Sequence, residues 1–268
     1  MIFMNIIFQF LFLKKIDNNL KFLIINYSME KNVFLENIFI DFSKNYKNTQ
    51  ILKPVIIFTM GIPGSGKSTV IDSFICNILS LVLYDLNYLG EERYLNQNNF
   101  VYCNPDKIMT YIEDFEIDKK EEFLGRGTIY NNKLVKKLIS EEQYYENQYN
   151  IVYDATGTQF GHYLKHIELA NKYGYLTILL NINCKIETAF ERTKLRDRKI
   201  DLEVVEKVYN SIYQKKKAKS KYPFLNNFDI LSNKVDLYFE IDNNEEPIIK
   251  DLKLLDEQIY KGMEFQYL

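Results

Sequence analysis

The chain has 268 residues, 47% of them hydrophobic, which is enough for one large α/β domain, or a domain with an appendage, and for a sizeable buried core. Its 34 basic and 36 acidic side chains leave a net charge of −2, which excludes a global field that draws the protein to nucleic acid and leaves only a local basic site. Cys76, Cys103 and Cys184 stand singly, without metal-ligand spacing or a disulfide framework, and this points to a reducing, cytoplasmic compartment.

Residues 2–13 are apolar apart from Asn5 and Gln9 and are followed by Lys14-Lys15. The run is too short to span a bilayer. It also lacks the leading positive charge and small-residue cleavage site of a signal peptide. We expect translation to start at Met29 and residues 1–28 to be dispensable, with a weak apolar anchor as the rival reading. Val33, Phe34, Ile38 and Phe42 fall at helical spacing, which predicts an N-terminal helix within 29–50 and a main domain over 51–268.

Five short apolar runs then predict buried strands at 55–60, 100–103, 151–154, 176–182 and 237–241. Helical patterns are expected over 67–83, 106–115, 131–148, 161–173, 186–197, 202–220 and 248–260. Strands alternating with helices predict an α/β fold around a five-stranded parallel sheet. Ligands of such sheets bind beyond the carboxyl ends of the strands. The residues that follow each strand are therefore the ones to inspect.

Strand one runs into Gly61-Ile62-Pro63-Gly64-Ser65-Gly66-Lys67-Ser68, followed by Thr69. This is G-x-x-x-x-G-K-[ST] between a strand and a helix, the setting that makes it a phosphate-binding loop. Its N–H groups and the helix N-terminus cradle nucleotide phosphates. Lys67 reaches the β/γ-phosphates, and Ser68 offers a hydroxyl to Mg²⁺. An incidental glycine turn would not require Lys-Ser at this spacing.

Strand two ends in Asn104-Pro105-Asp106. Phosphoryl transfer needs a carboxylate near the acceptor hydroxyl, and Asp106 suits it. The plainer reading makes Asn104 or Asp106 a helix cap. Strand three ends in Asp154-Ala155-Thr156-Gly157-Thr158, where Asp154 is a metal-organising candidate and Thr156 and Thr158 are substrate contacts. Arg192, Arg196 and Arg198 follow strand four at a lid position and can grip phosphates, or simply form a solvated face beside Glu191 and Asp197. Arg126, in Gly125-Arg126-Gly127-Thr128 before a predicted helix, is an acceptor-pocket candidate on position alone. His162 and His166, four apart and without a third ligand, make a poor metal site. The run 215–219 reads as a solvated helix end.

Two patterns also suit a GTPase: D-x-x-G at 154–157, and N-K-x-D at Asn233-Lys234-Val235-Asp236. The second precedes the last apolar run, whereas guanine recognition needs it after a strand.

GIPGSGKS, Asn104-Pro105-Asp106, the DATGT of 154–158 and the stretch from Arg192 to Tyr209 together resemble the zeta-toxin family and its polynucleotide-kinase-like neighbours. The resemblance covers about residues 50–245. It implies a P-loop kinase with an arginine-bearing lid, using ATP and Mg²⁺ and phosphorylating a hydroxyl on a small molecule or nucleotide-like acceptor. It implies ATP-Mg²⁺ binding by Lys67 and Ser68, a base role for Asp106, and phosphate contacts for Arg192 and Arg198, with Arg196 the alternative. The family's Glu-Gly-Thr motif is followed two residues later by arginine, and here Thr158 stands at that place. The nucleotide-sugar acceptor is therefore not implied, and nucleic acid enters only as a substrate end. A non-catalytic ATP-binding protein is the alternative class.

Overall fold

The six residues Val55–Met60 are all buried and form β1. A strand apolar on both faces belongs inside a parallel sheet covered by helices on each side. β1 pairs in parallel with β3 (Ile151–Tyr153) on one side and β4 (Leu176–Asn183) on the other. β2 (Val101–Cys103) adds to β3, and β5 (Leu237–Asp242) adds to β4, both in parallel. This computed structural model describes residues 33–48, 51–89, 95–140, 148–195, 200–244 and 248–253.

The five expected strands are therefore present, in the order β2-β3-β1-β4-β5. A sixth strand, β6 (Ile248–Lys253), runs antiparallel to β5 and corrects the helix expected over 248–260. Its backbone pairs with the outer edge of β5, which would otherwise present bare N–H and C=O groups. Residues 254–260 lie outside the described part.

The chain divides into two units, Met1–Asp41 and Phe42–Leu268. In the first, the described residues 33–41 are helical, and that helix, α1, runs through residue 43. The apolar residues 2–13 lie outside the described part.

In the second unit, α2 (Lys67–Asp85) leaves the phosphate loop and covers one face of the sheet. Val70, Phe74, Ile78 and Val82 pack there with Val55, Ile57, Ile178 and Phe239. Phe74–Leu79 widens to a π-helical segment, where the Ser80 hydroxyl donates to the Ile75 carbonyl and accepts from the Leu95 N–H. By length and apolarity α2 passes for a membrane span, yet half of that window is buried in the fold. α3 (Pro105–Met109) and α4 (Lys120–Leu138) follow β2, and α5 (Phe160–Lys172) follows β3. α5 covers the opposite face: Tyr163 lies 5.8 Å from Phe58 and 5.0 Å from Tyr153 between ring centroids. α6 (Ile186–Lys194), α7 (Leu202–Tyr213) and α8 (Asn227–Ser232) complete the described helices.

Two local expectations change. Gly125-Arg126-Gly127-Thr128 lies within α4 rather than before a helix. Gly127 is where α4 presses on α3: a Cβ there would meet Met109 Cγ at 2.5 Å and the Pro105 carbonyl at 2.8 Å. The lysine run 215–219 follows α7 as a loop, because the helix ends at Tyr213.

Candidate active site

The loop 61–68 turns directly out of β1 and feeds α2. Gly64 (φ 84°) and Gly66 (φ 82°) hold left-handed conformations that disfavour other L-residues. Space adds a second reason. A Cβ on Gly64 would collide with the Ala189 carbonyl of α6, and one on Gly66 with the Asn243 side-chain amide beyond β5. The loop is therefore braced from two sides. Asn243, itself buried, donates from Nδ2 to the Ser65 carbonyl at 2.7 Å. Ser65 is fully buried, and its hydroxyl has no partner among the described residues. Lys67 curls back over the loop, with Nζ 2.8 Å from the Gly61 carbonyl and 3.2 Å from that of Ile62. Ser68 and Thr69 open the first turn of α2 and are exposed.

Asp154 stands at the end of β3, nearly buried. Its Oδ1 accepts from the Thr59 hydroxyl at 3.0 Å and its Oδ2 from Asn104 Nδ2 at 2.7 Å. Asn104 has a second duty: its Oδ1 accepts from the Asp106 N–H at 2.7 Å and caps α3. Asn104 is therefore the cap, which leaves the Asp106 carboxylate outside the cap's hydrogen bond. That carboxylate is exposed and pairs with Lys120 Nζ at 2.9 Å.

The following loop is tied to the phosphate loop, since the Gly61 N–H donates to the Thr156 carbonyl at 3.2 Å. The Thr156 and Thr158 hydroxyls lie 3.1 Å apart. Asn227 holds this loop from behind, with Nδ2 donating to the carbonyls of Gly157 (3.0 Å) and Thr158 (3.2 Å). Lys216 in turn donates to Asn227 Oδ1 at 2.7 Å and stands over the Phe160 ring, and burial pushes its ammonium pKa down.

Arg192, in the last turn of α6, reaches the loop's other flank. Its Nη1 donates to the Asn243 carbonyl at 2.7 Å and its Nη2 to the Asn244 carbonyl at 3.1 Å. Glu191 pairs with Lys194 instead of an arginine. Arg196 and Arg198 lie outside the described residues. Arg126 is exposed on α4, 5.7 Å from the centre of the Phe123 ring.

The structure thus gathers residues 61–69, Asp106, Asp154, Thr156, Thr158 and Arg192 at the carboxyl edge of the sheet. It adds Thr59, Lys120, Asn227 and Asn243, whose supporting roles the sequence reading missed, and gives Asn104, expected only as a helix cap, a second contact to Asp154. Two of these had a signal: Thr59 is a polar residue inside an apolar strand, and Asn243 follows the last parallel strand. The N-K-x-D pattern lies elsewhere. Asp236 Oδ2 accepts from the Thr177 N–H (2.8 Å) and hydroxyl (2.9 Å), stapling the amino ends of β4 and β5 at the opposite edge from the phosphate loop.

A glycine-rich loop between the central strand and its helix, a carboxylate ending the neighbouring strand, and this strand order define a P-loop kinase fold. A profile of the zeta-toxin family matches residues 41–234, so the chain belongs to that family. Its fold is similar to that in the PezAT toxin–antitoxin system of Streptococcus pneumoniae (TM-score 0.51, 16% identity, over 80% of this chain and 77% of that one). It is also similar to the AvrRxo1-ORF1:-ORF2 structure with ATP (TM-score 0.56, 14% identity, over 84% and 68%). Among curated proteins no match was found.

Proposed function

We propose that the protein is an ATP-dependent kinase that transfers the γ-phosphoryl group to a hydroxyl of a small-molecule or nucleotide-like acceptor. The observation that carries this reading is the Asn104 amide. It holds the Asp154 carboxylate with one atom and the Asp106 N–H with the other, each at 2.7 Å, so the two acids reach the phosphate-loop edge as one unit.

In this reading the loop N–H groups and α2 bind the β-phosphate. Lys67 exchanges the Gly61 and Ile62 carbonyls for phosphate oxygens, so that its ammonium faces full negative charge in place of neutral carbonyl dipoles. Arg192, with Arg196 and Arg198 as lid residues, neutralises the phosphoryl oxygens. Asp106, oriented by Lys120, accepts the acceptor's proton as its oxygen bonds to the γ-phosphorus and ADP departs. Thr156, Thr158 and Arg126 position the acceptor.

Mg²⁺ fits the donors present. Among the described residues no group of three or more His, Cys, Asp or Glu forms a metal cage. Mg²⁺ takes one or two protein oxygens plus phosphates, which Asp154 and the Ser68 hydroxyl can complete. Bound there, it would neutralise phosphate charge. The ATP-bound neighbour supports ATP as donor, and the two-component neighbours support a protein partner.

The test separates binding from transfer. Asp106→Asn should keep ATP affinity and slow transfer by roughly 10²–10⁴-fold. An Asn variant that transfers at the full rate would reduce Asp106 to an ion-pair partner of Lys120. A parent protein that binds ATP and phosphorylates nothing would favour a non-catalytic ATP-binding protein.

A further inference from the structure

Between α4 and α5 lies a cavity of about 440 Å³. Lys133 and Lys136 line it from α4, and Lys165, His162 and His166 from α5. Among the described residues no carboxylate lines it, and none of the three lysines forms an ion pair. The histidines at 162 and 166 are the chain's two histidines, so both face this one space.

His166 registers the local charge. It is 1% exposed, and its Nε2 lies 2.9 Å from Asn132 Oδ1, which also accepts the Tyr153 hydroxyl at 2.9 Å. An amide oxygen only accepts, so Nε2 carries the proton, and Nδ1 is a buried lone pair without a partner among the described residues. Burial first, then Lys136, His162 and Lys165, push the ring's pKa down to about 3. Positive charge is concentrated on this cavity, and among the described residues no lining carboxylate offsets it.

The other end is different. Gly125 offers open space, since a Cβ there would meet nothing within 4 Å, and Ile129 beside it is 56% exposed. From Gly125 to Lys136 the α4 surface runs about 16 Å at 1.5 Å per residue, away from the sheet edge that Gly127 marks by its approach to Pro105. The cavity therefore has an apolar end and a cationic end. Its volume lies within the roughly 300–1,000 Å³ of small-molecule sites.

We infer that the α4–α5 cavity binds a phosphate-bearing small molecule at a site separate from the phosphate loop. The anionic group sits among Lys133, Lys136 and Lys165, and the organic body lies against Gly125 and Ile129.

The test uses the full chain saturated with a non-hydrolysable ATP analogue and Mg²⁺, so that the phosphate loop is filled. Inorganic phosphate and ribose 5-phosphate are titrated in while the ring signals of the two histidines are followed by NMR. Both probes should shift His162 saturably, with ribose 5-phosphate the tighter. The double variant Lys136→Ala/Lys165→Ala should weaken both at least tenfold. Gly125→Leu should weaken ribose 5-phosphate but spare phosphate. These side chains are exposed, or absent in the case of Gly125, so an unchanged cooperative urea-unfolding midpoint reports that each variant is folded. Shifts that never saturate, affinities unchanged in the lysine variant, or binding seen only before the ATP analogue is added would each overturn the inference. None of these readouts depends on kinase turnover, so this site and the kinase reading fail separately.

Discussion

Replacing Asn104 with Ala and with Asp distinguishes its two hydrogen bonds. Ala removes the cap on α3, about 1 kcal/mol. It also removes a hydrogen bond to the Asp154 carboxylate, about 1.5–3 kcal/mol. The expected loss is therefore about 2.5–4 kcal/mol. Asp keeps the cap, since Asn and Asp cap equally well. It also turns a 2.7 Å hydrogen bond into a clash of two carboxylates. Even if the side chains back off to about 4 Å, the repulsion is about 4 kcal/mol at an effective dielectric of about 20. At pH 7 the Asp variant should therefore be at least as unstable as the Ala variant despite its better cap. Two carboxylates sharing a site raise the pKa of one of them. A folded-state pKa above the unfolded value means that stability is gained as pH falls through it, so the Asp deficit should shrink between pH 7 and about 5 while the Ala deficit stays. Urea unfolding midpoints at the two pH values measure this. An Asp variant as stable as the parent at pH 7, or one that recovers nothing at pH 5, would refute the shared-amide geometry.

Lys67→Ala should weaken ATP by about 10–150-fold in calorimetric titration, the loss of a charged hydrogen bond of about 1.5–3 kcal/mol, with little change in melting temperature. Asp236→Ala should cost about 1–3 kcal/mol of stability, because the Thr177 N–H and hydroxyl lose their acceptor, and should leave the ATP-over-GTP preference unchanged. A switch in nucleotide preference would instead revive guanine recognition. His166 titrates at about 3 in the fold, below the usual 6.5, so it contributes stability above pH 6.5 that is lost as pH falls toward 3. His166→Gln should therefore flatten the decline in melting temperature over that window, and equal slopes for parent and variant would contradict the buried neutral ring.

The strands were legible because each is a short apolar run, and Val55–Met60 is buried throughout as its composition requires. The phosphate loop was legible because its glycines and Lys-Ser spacing are local. What escaped was long-range or depended on pairing. Ile248–Lys253 was expected within a helix over 248–260, yet it pairs with the open edge of β5 as a strand. The stretch Gly125–Thr128 was expected before a helix but lies inside α4, where Gly127 permits the close approach of α3. Asn243 contacts Ser65 across 178 residues; its place after the last parallel strand marks the site edge, but no local pattern names its partner. The Lys120 partner of Asp106 lies 14 residues on, in a stretch without a recognisable motif.

Phosphoryl transfer itself tests the account most directly. The protein is incubated with γ-labelled ATP, Mg²⁺ and a pool of nucleosides, nucleotide sugars and 5′-hydroxyl oligonucleotides, and labelled products are identified by mass. The account predicts label on a hydroxyl oxygen of one acceptor class, lost in Lys67→Ala through binding and in Asp106→Asn without loss of ATP affinity. Bound ATP with no labelled acceptor, or a labelled product that forms equally well in Asp106→Asn, would contradict it.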